Sequence, residues 1–283
     1  MAPHSISAPL VLLGGGKIAE ALIQGLLRSG HAQPSELRVT VRRPERGEEL
    51  RSRHGVDVLM DNAQAVRGAG VILLAVRQAQ LRDLMAVIAP ALEPGQTVVS
   101  LSADVRLAQL EAALPSCVSI LRALPHTPVR VGAGVTPLTA GTRATEPARQ
   151  AAESVFAATG RPLWMTEEAL TICTGVCGTG PAYVFRSVET LAQAAMAHGM
   201  DSAEAAALAR ETLIGAAKLL AEPGATTARL ITEIATPGGI TEAGLKALEA
   251  QGLPRVVDEA VTVAIQRTRE RADANAMAYS TAK

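Results

Sequence analysis

The apolar and polar positions divide the chain into two stretches of different texture. Up to about residue 165, short continuous apolar runs alternate with amphipathic segments. The runs are "APLVLLG" (8–14), "LRVTV" (37–41), "VDVL" (56–59), "VILLAV" (71–76), "TVVSLS" (97–102), "SILRAL" (119–124) and "AGVTPL" (133–138). Runs this short, with β-branched residues and little alternation, predict strands buried on both faces. Helical spacing predicts helices over 17–29, 61–68, 78–91, 104–113 and 146–158. Strand and helix in alternation imply an α/β domain with a parallel, doubly wound sheet covered on both sides.

From about residue 166 the strand signals stop. The stretch "TEEALTICTGVCGTGPAYVFRSVETLAQAAMAHGM" reads as one long helix interrupted by a glycine-rich turn around 175–181. A second helix is expected over 202–222, with Ser202 as its N-cap. Others are expected over roughly 226–234, 241–250 and 254–272. The pattern therefore predicts an α/β domain over 1–165 and an all-α domain over 166–283, with no low-complexity linker. Amphipathic, alanine-rich helices with few aromatics bury little surface alone, so this second half is expected to pack against another copy of the chain.

Composition narrows the function. The 283 residues are 48% hydrophobic and 19% charged, and 27 Lys+Arg balance 27 Asp+Glu. Without a basic excess, and with only 2% aromatic residues for base stacking, nucleic acid is not an expected partner. The opening "MAPHSISAPLVLLGGGK" has no basic segment and too short an apolar run for a secretory leader. No stretch approaches the roughly 18–20 apolar residues of a membrane span, so no membrane partner is expected. Cys117, Cys173 and Cys177 form no C-x-x-C pair and suit a reducing cytoplasm. Cys173 and Cys177 share a helix face with no histidine at ligand spacing, which favours core packing over a metal site.

Candidate chemistry begins at "VLLGGGKIAEALIQGLL", where Gly14-x-Gly16-x-x-Ala19 stands at a strand-to-helix junction. The first glycine permits the tight turn, the second lets backbone approach a pyrophosphate, and the small third residue lets helix pack on strand. The helix opening at Lys17 and Ile18 would point its free amides at the phosphates. Strand before, helix after and parallel pattern downstream make this a dinucleotide site of the Rossmann kind. After the second strand, "VTVRRP" places Arg42 and Arg43 where a carboxylate would bind a ribose hydroxyl. A guanidinium suits a 2′-phosphate, so NADPH is the expected cofactor and NADH the alternative. The competing reading is a solvated charged loop, "RRPERGEE". Ala75, Val76 and Arg77 end the fourth strand, at the sheet edge where cofactors lie.

The stretch "IATPGGIT" (234–241) interrupts the helical half with a proline and two glycines. On its own it fits two readings. One is a structural turn capped by threonines. In the other, Pro237 stops the preceding helix, and the Gly238 and Gly239 amides with the next helix's positive end hold a carboxylate.

Six segments, "LLGGGKIAEAL", "LLAVRQ", "LRALPHTPVRVGAGVTPL", "TGVCGTGPAYVF", "LARETLIGAAKLL" and "IATPGGITEAGLKALEAQG", resemble pyrroline-5-carboxylate reductase in order and spacing over almost the whole chain. The resemblance implies an NAD(P)H-binding Rossmann domain and a helical domain building a homodimer, often a ring of dimers. The implied small-molecule substrate is the cyclic imine 1-pyrroline-5-carboxylate, reduced to L-proline. By the same resemblance Thr241 supplies the hydroxyl near the imine nitrogen, and Thr236 holds the substrate carboxylate beside Gly238 and Gly239. Asn62 matches a position that reaches the adenosine ribose or its phosphate, and it also reads as an N-cap.

Several positions depart from the family's pattern. His126 stands where P-N-T-P has asparagine, Cys177 and Thr179 replace the serines of S-G-S-G-P-A-Y, and Ala235 replaces the serine before T/S-P-G-G. Arg77-Gln78 replaces Lys-Pro. His126 is either a neutral hydrogen-bonding substitute or the mark of an altered substrate. The alternatives are thus a reductase of a related cyclic imine, or a nucleotide-binding paralogue without turnover. A β-hydroxyacid dehydrogenase shares the architecture but needs a lysine base where Val184 stands.

Overall fold

The computed structural model describes residues 8–280; residues 1–7, part of the opening read above for a leader, lie outside it. Its strands are β1 (Leu10–Leu13), β2 (Leu37–Thr40), β3 (Asp57–Leu59), β4 (Val71–Leu74), β5 (Thr97–Ser100), β6 (Ser119–Ala123), β7 (Gly134–Ala140) and β8 (Gly160–Trp164). They form one sheet in the order β3-β2-β1-β4-β5-β6-β7-β8. Every neighbouring pair is parallel except β6 and β7. The order reverses between β1 and β4, the switch point at which doubly wound sheets bind ligands.

Helices α1 (Lys17–Arg28), α2 (Pro44–His54), α3 (Asn62–Ala65), α4 (Gln78–Ile88), α5 (Leu107–Ala113) and α6 (Glu146–Ala157) connect the strands. They are followed by α7 (Glu167–Cys173), α8 (Gly180–Ala197), α9 (Ser202–Leu220), α10 (Thr227–Ile234), α11 (Ile240–Ala250) and α12 (Leu253–Ser280).

The continuous apolar runs of the central strands have a physical cause: β1, β4, β5 and β6 each feed two cores. Leu10 and Leu12 of β1 pack with Leu22, Ile23 and Leu26 of α1 and Phe156 of α6. Val11 and Leu13 face the other way, toward Leu81, Leu84 and Ile88 of α4. Each such side chain contributes about 1.5–3 kcal/mol by leaving water.

Four elements differ from the expectation. α2 occupies the segment read as a run of charge. It buries only Gly47 and Leu50, too few for a periodic signal. It is instead set by its ends, with Pro44 in the first turn and Gly55 left-handed (φ 69°) after the last. β8 was not expected, because a proline and an arginine obscure an edge strand. The interruption in the long helix is a π-helical turn, Thr174–Gly178, rather than an open loop. Asp201, not Ser202, caps α9, its carboxylate accepting from the amides of Ala203 and Glu204.

The chain forms two compact units. The boundary expected near 165 marks the end of the sheet. The first unit continues to Gly178 and takes in the chain from Ile265 onward, and the second is Thr179–Ala264. Within the first unit the late part of α12 anchors on the loop after β5. Arg271 pairs with Asp104 at 2.9 Å, and the Asn275 amide donates to the Asp104 carbonyl at 2.7 Å. Within the second unit α8 and α9 pack together, and the Tyr183 hydroxyl donates to the Ala260 carbonyl at 3.2 Å.

A buried ion pair fixes the C-terminal end of the sheet. Arg122 of β6 is 2% exposed. It donates to Glu167 at 2.6 Å and to the carbonyls of Ser102 and Ala103 at 3.2 and 2.8 Å. The same Glu167 oxygen accepts from the Leu107 amide, at the start of α5, at 2.7 Å. Deleting one partner leaves the other charge buried and unpaired. Glu167→Ala should therefore lower unfolding stability by about 3 kcal/mol, read in chemical denaturation. An unchanged midpoint would mean that Arg122 does not depend on this carboxylate.

Candidate active site

The glycine-rich loop owes its shape to close backbone packing. Gly14 has φ +109°, and a Cβ there would lie 2.9 Å from the Ala75 carbonyl oxygen. A Cβ on Gly15 would collide with Val41 at 2.6 Å and Leu50 at 2.8 Å. Gly16 differs: among the described residues, its own chain neighbours and helix aside, nothing lies within 4 Å of the place its Cβ would take. Its missing side chain leaves an approach open to something from outside. It is also the N-cap of α1, without a side-chain cap of its own.

These glycines open onto a cleft of about 680 Å³ at the switch point. Gly14, Gly16, Arg42, Arg43, Asn62, Ala75, Val76 and Arg77 all line it. Lys17 and Ile18 open α1 beside it but do not line it, and Ile18 instead packs against the core. Asn62 faces the cleft and does not cap its helix. Asp61 is the cap, accepting from Ala63 and Gln64 at 2.8 and 3.1 Å. Sequence reasoning missed Gly15, Thr40, Arg46 and Gln80, which also border the cleft. The Thr40 hydroxyl accepts from the Gly14 amide at 3.1 Å. The third glycine of "GGG" was the one available signal for Gly15. Arg46 sits in the charged run whose helix the periodicity did not reveal.

Three exposed arginines around one cleft, Arg42, Arg43 and Arg77, fit a ligand with several negative charges, while Arg46 is paired with Glu20 and Glu49. The open Gly16 at a helix N-terminus fits a phosphate. The donor set thus suits a phosphorylated dinucleotide. Among the described residues no group of three or more His, Cys, Asp or Glu is placed to hold a metal ion.

Thr236, Gly238, Gly239 and Thr241 come together in the second unit. Pro237 and Gly238 (φ +74°) take the central positions of a turn closed by the Gly239 amide donating to the Thr236 carbonyl at 2.9 Å. A Cβ on Gly239 would meet the Thr236 hydroxyl at 2.6 Å, so that glycine is required by its neighbour. Gly239 is the N-cap of α11, and Thr241 follows in the first turn. The Gly238 amide donates to Glu242 at 2.8 Å, so the turn already receives a carboxylate.

Two of the departures noted above lie against each other. His126 Nε2 is 3.1 Å from Cys177 Sγ in the π-helical turn, although the sequence placed no histidine near that cysteine. Burial pushes the His126 imidazole down to about 4. Burial first, then Cys173, pushes the Cys177 thiol up to about 11. Both are neutral at pH 7, a hydrogen-bonded imidazole and thiol rather than an ion pair.

With this geometry in place, similarity to known proteins becomes informative. Residues 167–271 match the family model for pyrroline-5-carboxylate reductase dimerisation, and residues 9–104 match that for NADP oxidoreductase, coenzyme F420-dependent. The pyrroline-5-carboxylate reductase of Synechocystis is 34% identical over 94% of this chain and 98% of its own. The chain belongs to the pyrroline-5-carboxylate reductase family. The structure of the family member from Coxiella burnetii superposes with a TM-score of 0.88 at 31% identity, covering 94% of this chain and 98% of that one. The Plasmodium falciparum reductase, solved with NADP bound, shares the fold with a TM-score of 0.84 at 22% identity, covering 95% and 99%.

Membership in this reductase family explains the exposed apolar side chains of the second unit. Phe185 is 66% exposed and Ile240 95%, and α8, α10 and α11 bury no residue within the chain. A dimerisation domain covers such faces with another copy. Light scattering at micromolar concentration should give at least twice the 29.3 kDa chain mass; a monomeric mass would contradict this.

His126 gives a pH prediction with a definite sign. Its folded value lies below the ordinary 6.5, so its contribution is complete above 6.5 and is lost as pH falls toward 4. Between those values His126→Asn should lose less stability than wild type in parallel denaturation series. Identical slopes would show that the histidine is not buried in its neutral form.

Proposed function

We propose that this chain reduces 1-pyrroline-5-carboxylate to L-proline with NADPH. The observation that carries the reading is the arginine-lined cleft at the switch point, opening on the unobstructed Gly16, in a chain of this family. Gly14 and Gly16 let the pyrophosphate approach the α1 N-terminus, where Lys17 and Ile18 present the first free amides. Arg42 and Arg43 receive the 2′-phosphate, and Asn62 the adenosine ribose. Ala75, Val76 and Arg77 border the cleft along the end of β4.

When bound, the cofactor supplies a hydride to the imine carbon. The protein's part is mostly geometry, because a protonated imine is already electrophilic. The substrate carboxylate takes the place of Glu242 on the Gly238 amide and meets the Thr236 hydroxyl, in a turn whose Gly239 amide is kept by the Thr236 carbonyl. Thr241 places its hydroxyl at the ring nitrogen to relay a proton. The working form is a homodimer or a ring of dimers. Three cysteines without a disulfide are in keeping with a reducing cytoplasm.

A second reading rests on the His126–Cys177 pair, which stands at two positions where the family's pattern differs. It assigns the chain a related cyclic imine, such as the six-membered homologue.

One assay tests both. NADPH oxidation is followed with pyrroline-5-carboxylate and with its homologue, using wild type, Thr241→Ala, and the Arg42→Ala, Arg43→Ala double variant. Thr241→Ala should lower kcat about a hundredfold. The double variant should raise the KM for NADPH about tenfold and leave NADH unaffected. Faster turnover of the homologue would replace the first reading with the second, and no turnover of either imine would overturn both.

A further inference from the structure

The glycine-rich loop is held from behind by a guanidinium that the sequence did not single out. Arg46 Nε donates to the Gly15 carbonyl at 2.9 Å. One terminal nitrogen of Arg46 meets Glu20 at 2.6 Å, and the other meets Glu49 at 2.9 Å. Glu20, on the first turn of α1, is itself fixed by Arg53 and by His54 Nε2 at 3.1 Å. Arg46 and Glu20 are only 18% and 15% exposed, so the pair is sheltered from solvent screening. Burial works to raise the Glu20 pKa, but hydrogen bonds from Arg46, His54 and Arg53 overcome it and hold the group at about 2. The carboxylate is therefore charged throughout the neutral range.

What this arrangement does follows from the peptide plane. In a trans peptide the carbonyl of one residue and the N–H of the next point in opposite directions. Fixing the Gly15 carbonyl thus fixes the direction of the Gly16 N–H. A cation on the carbonyl oxygen also polarises the peptide and makes that N–H a stronger donor. Val41 and Leu50 occupy the space a Cβ on Gly15 would need, so the loop keeps a glycine beside the gripped carbonyl.

We propose that Arg46, held by Glu20, is a positioning residue for the dinucleotide: it grips the Gly15 carbonyl and so aims the Gly16 N–H into the cleft at the pyrophosphate. The proposal rests on the reading of this cleft as the dinucleotide site. It separates Arg46 from Arg42 and Arg43, which that reading assigns to the 2′-phosphate. Arg46 spends its donors on Gly15, Glu20 and Glu49, and acts through backbone.

The test is binding by the full-length protein of two probes, NADPH and adenosine 2′-monophosphate, which lacks the pyrophosphate. NADPH is titrated by its fluorescence and the monophosphate by competition. Arg46→Gln should weaken NADPH about tenfold, the usual loss for one charge-assisted hydrogen bond, and leave the monophosphate unchanged. Arg46→Lys, which can still bridge the carbonyl and Glu20, should recover most of the affinity. Glu20→Gln keeps the shape of its residue and should show a smaller loss with the same selectivity, should Arg46→Gln fold poorly. Kinetically, the KM for NADPH should rise in these variants while kcat at saturation holds.

Equal weakening of both probes would make Arg46 a direct phosphate ligand, and no weakening of either would make it packing alone; each result overturns the proposal. A Gly16→Val control checks the underlying reading. If wild type binds NADPH and Gly16→Val binds it equally well, the dinucleotide does not use this loop, and the reading fails independently of Arg46.

Discussion

The C-terminal edge of the sheet is organised by one buried charge. Arg122 lies inside the fold at 2% exposure, where an unpaired guanidinium would be costly. Burial pulls its pKa down, and Glu167 opposes that by holding the charged form in place. Its carbonyl partners, Ser102 and Ala103, belong to the loop after β5, and its acidic partner to α7. One side chain thus ties three segments that share no local sequence. The loop it holds carries Asp104, on which Arg271 and Asn275 of α12 anchor. The late part of α12 joins the first unit partly through that residue.

At the switch point, the cleft is shaped by backbone rather than by special side chains. Gly14 and Gly15 are glycines because neighbouring strands and α2 leave no room for a Cβ. Gly16 has open space where its Cβ would lie, which leaves the α1 N-terminus approachable from the cleft. The arginines around the cleft supply charge without burial cost, since Arg42, Arg43 and Arg77 remain exposed until a ligand covers them. A pre-shaped backbone with exposed charges at its rim suits a long, flexible anion, because little has to be ordered on binding.

The π-helical turn places a different kind of chemistry. An extra residue in the turn interrupts the helical hydrogen-bond ladder, and such bulges concentrate at functional sites. Here it sets Cys177 against His126, and both are neutral, so the pair offers hydrogen bonding without charge.

The sequence by itself determined the layered α/β half, the helical half, the glycine fingerprint and the order of the family's motifs. These are local properties: strand runs are apolar because both faces are covered, and the fingerprint is contiguous. Of the cofactor residues it named, all but Lys17 and Ile18 line the cleft, since one loop, two strand ends and the start of α3 carry them. Where it erred locally, the signal was thin. α2 buries only Gly47 and Leu50, and at the starts of α3 and α9 an acidic neighbour took the capping role from Asn62 and Ser202. Tertiary structure alone decided the antiparallel turn of β7, the Arg122–Glu167 pair, the meeting of His126 with Cys177 and the grip of Arg46 on Gly15. Each joins residues far apart in the chain, and their meeting depends on strand order at one sheet edge, which no local periodicity encodes.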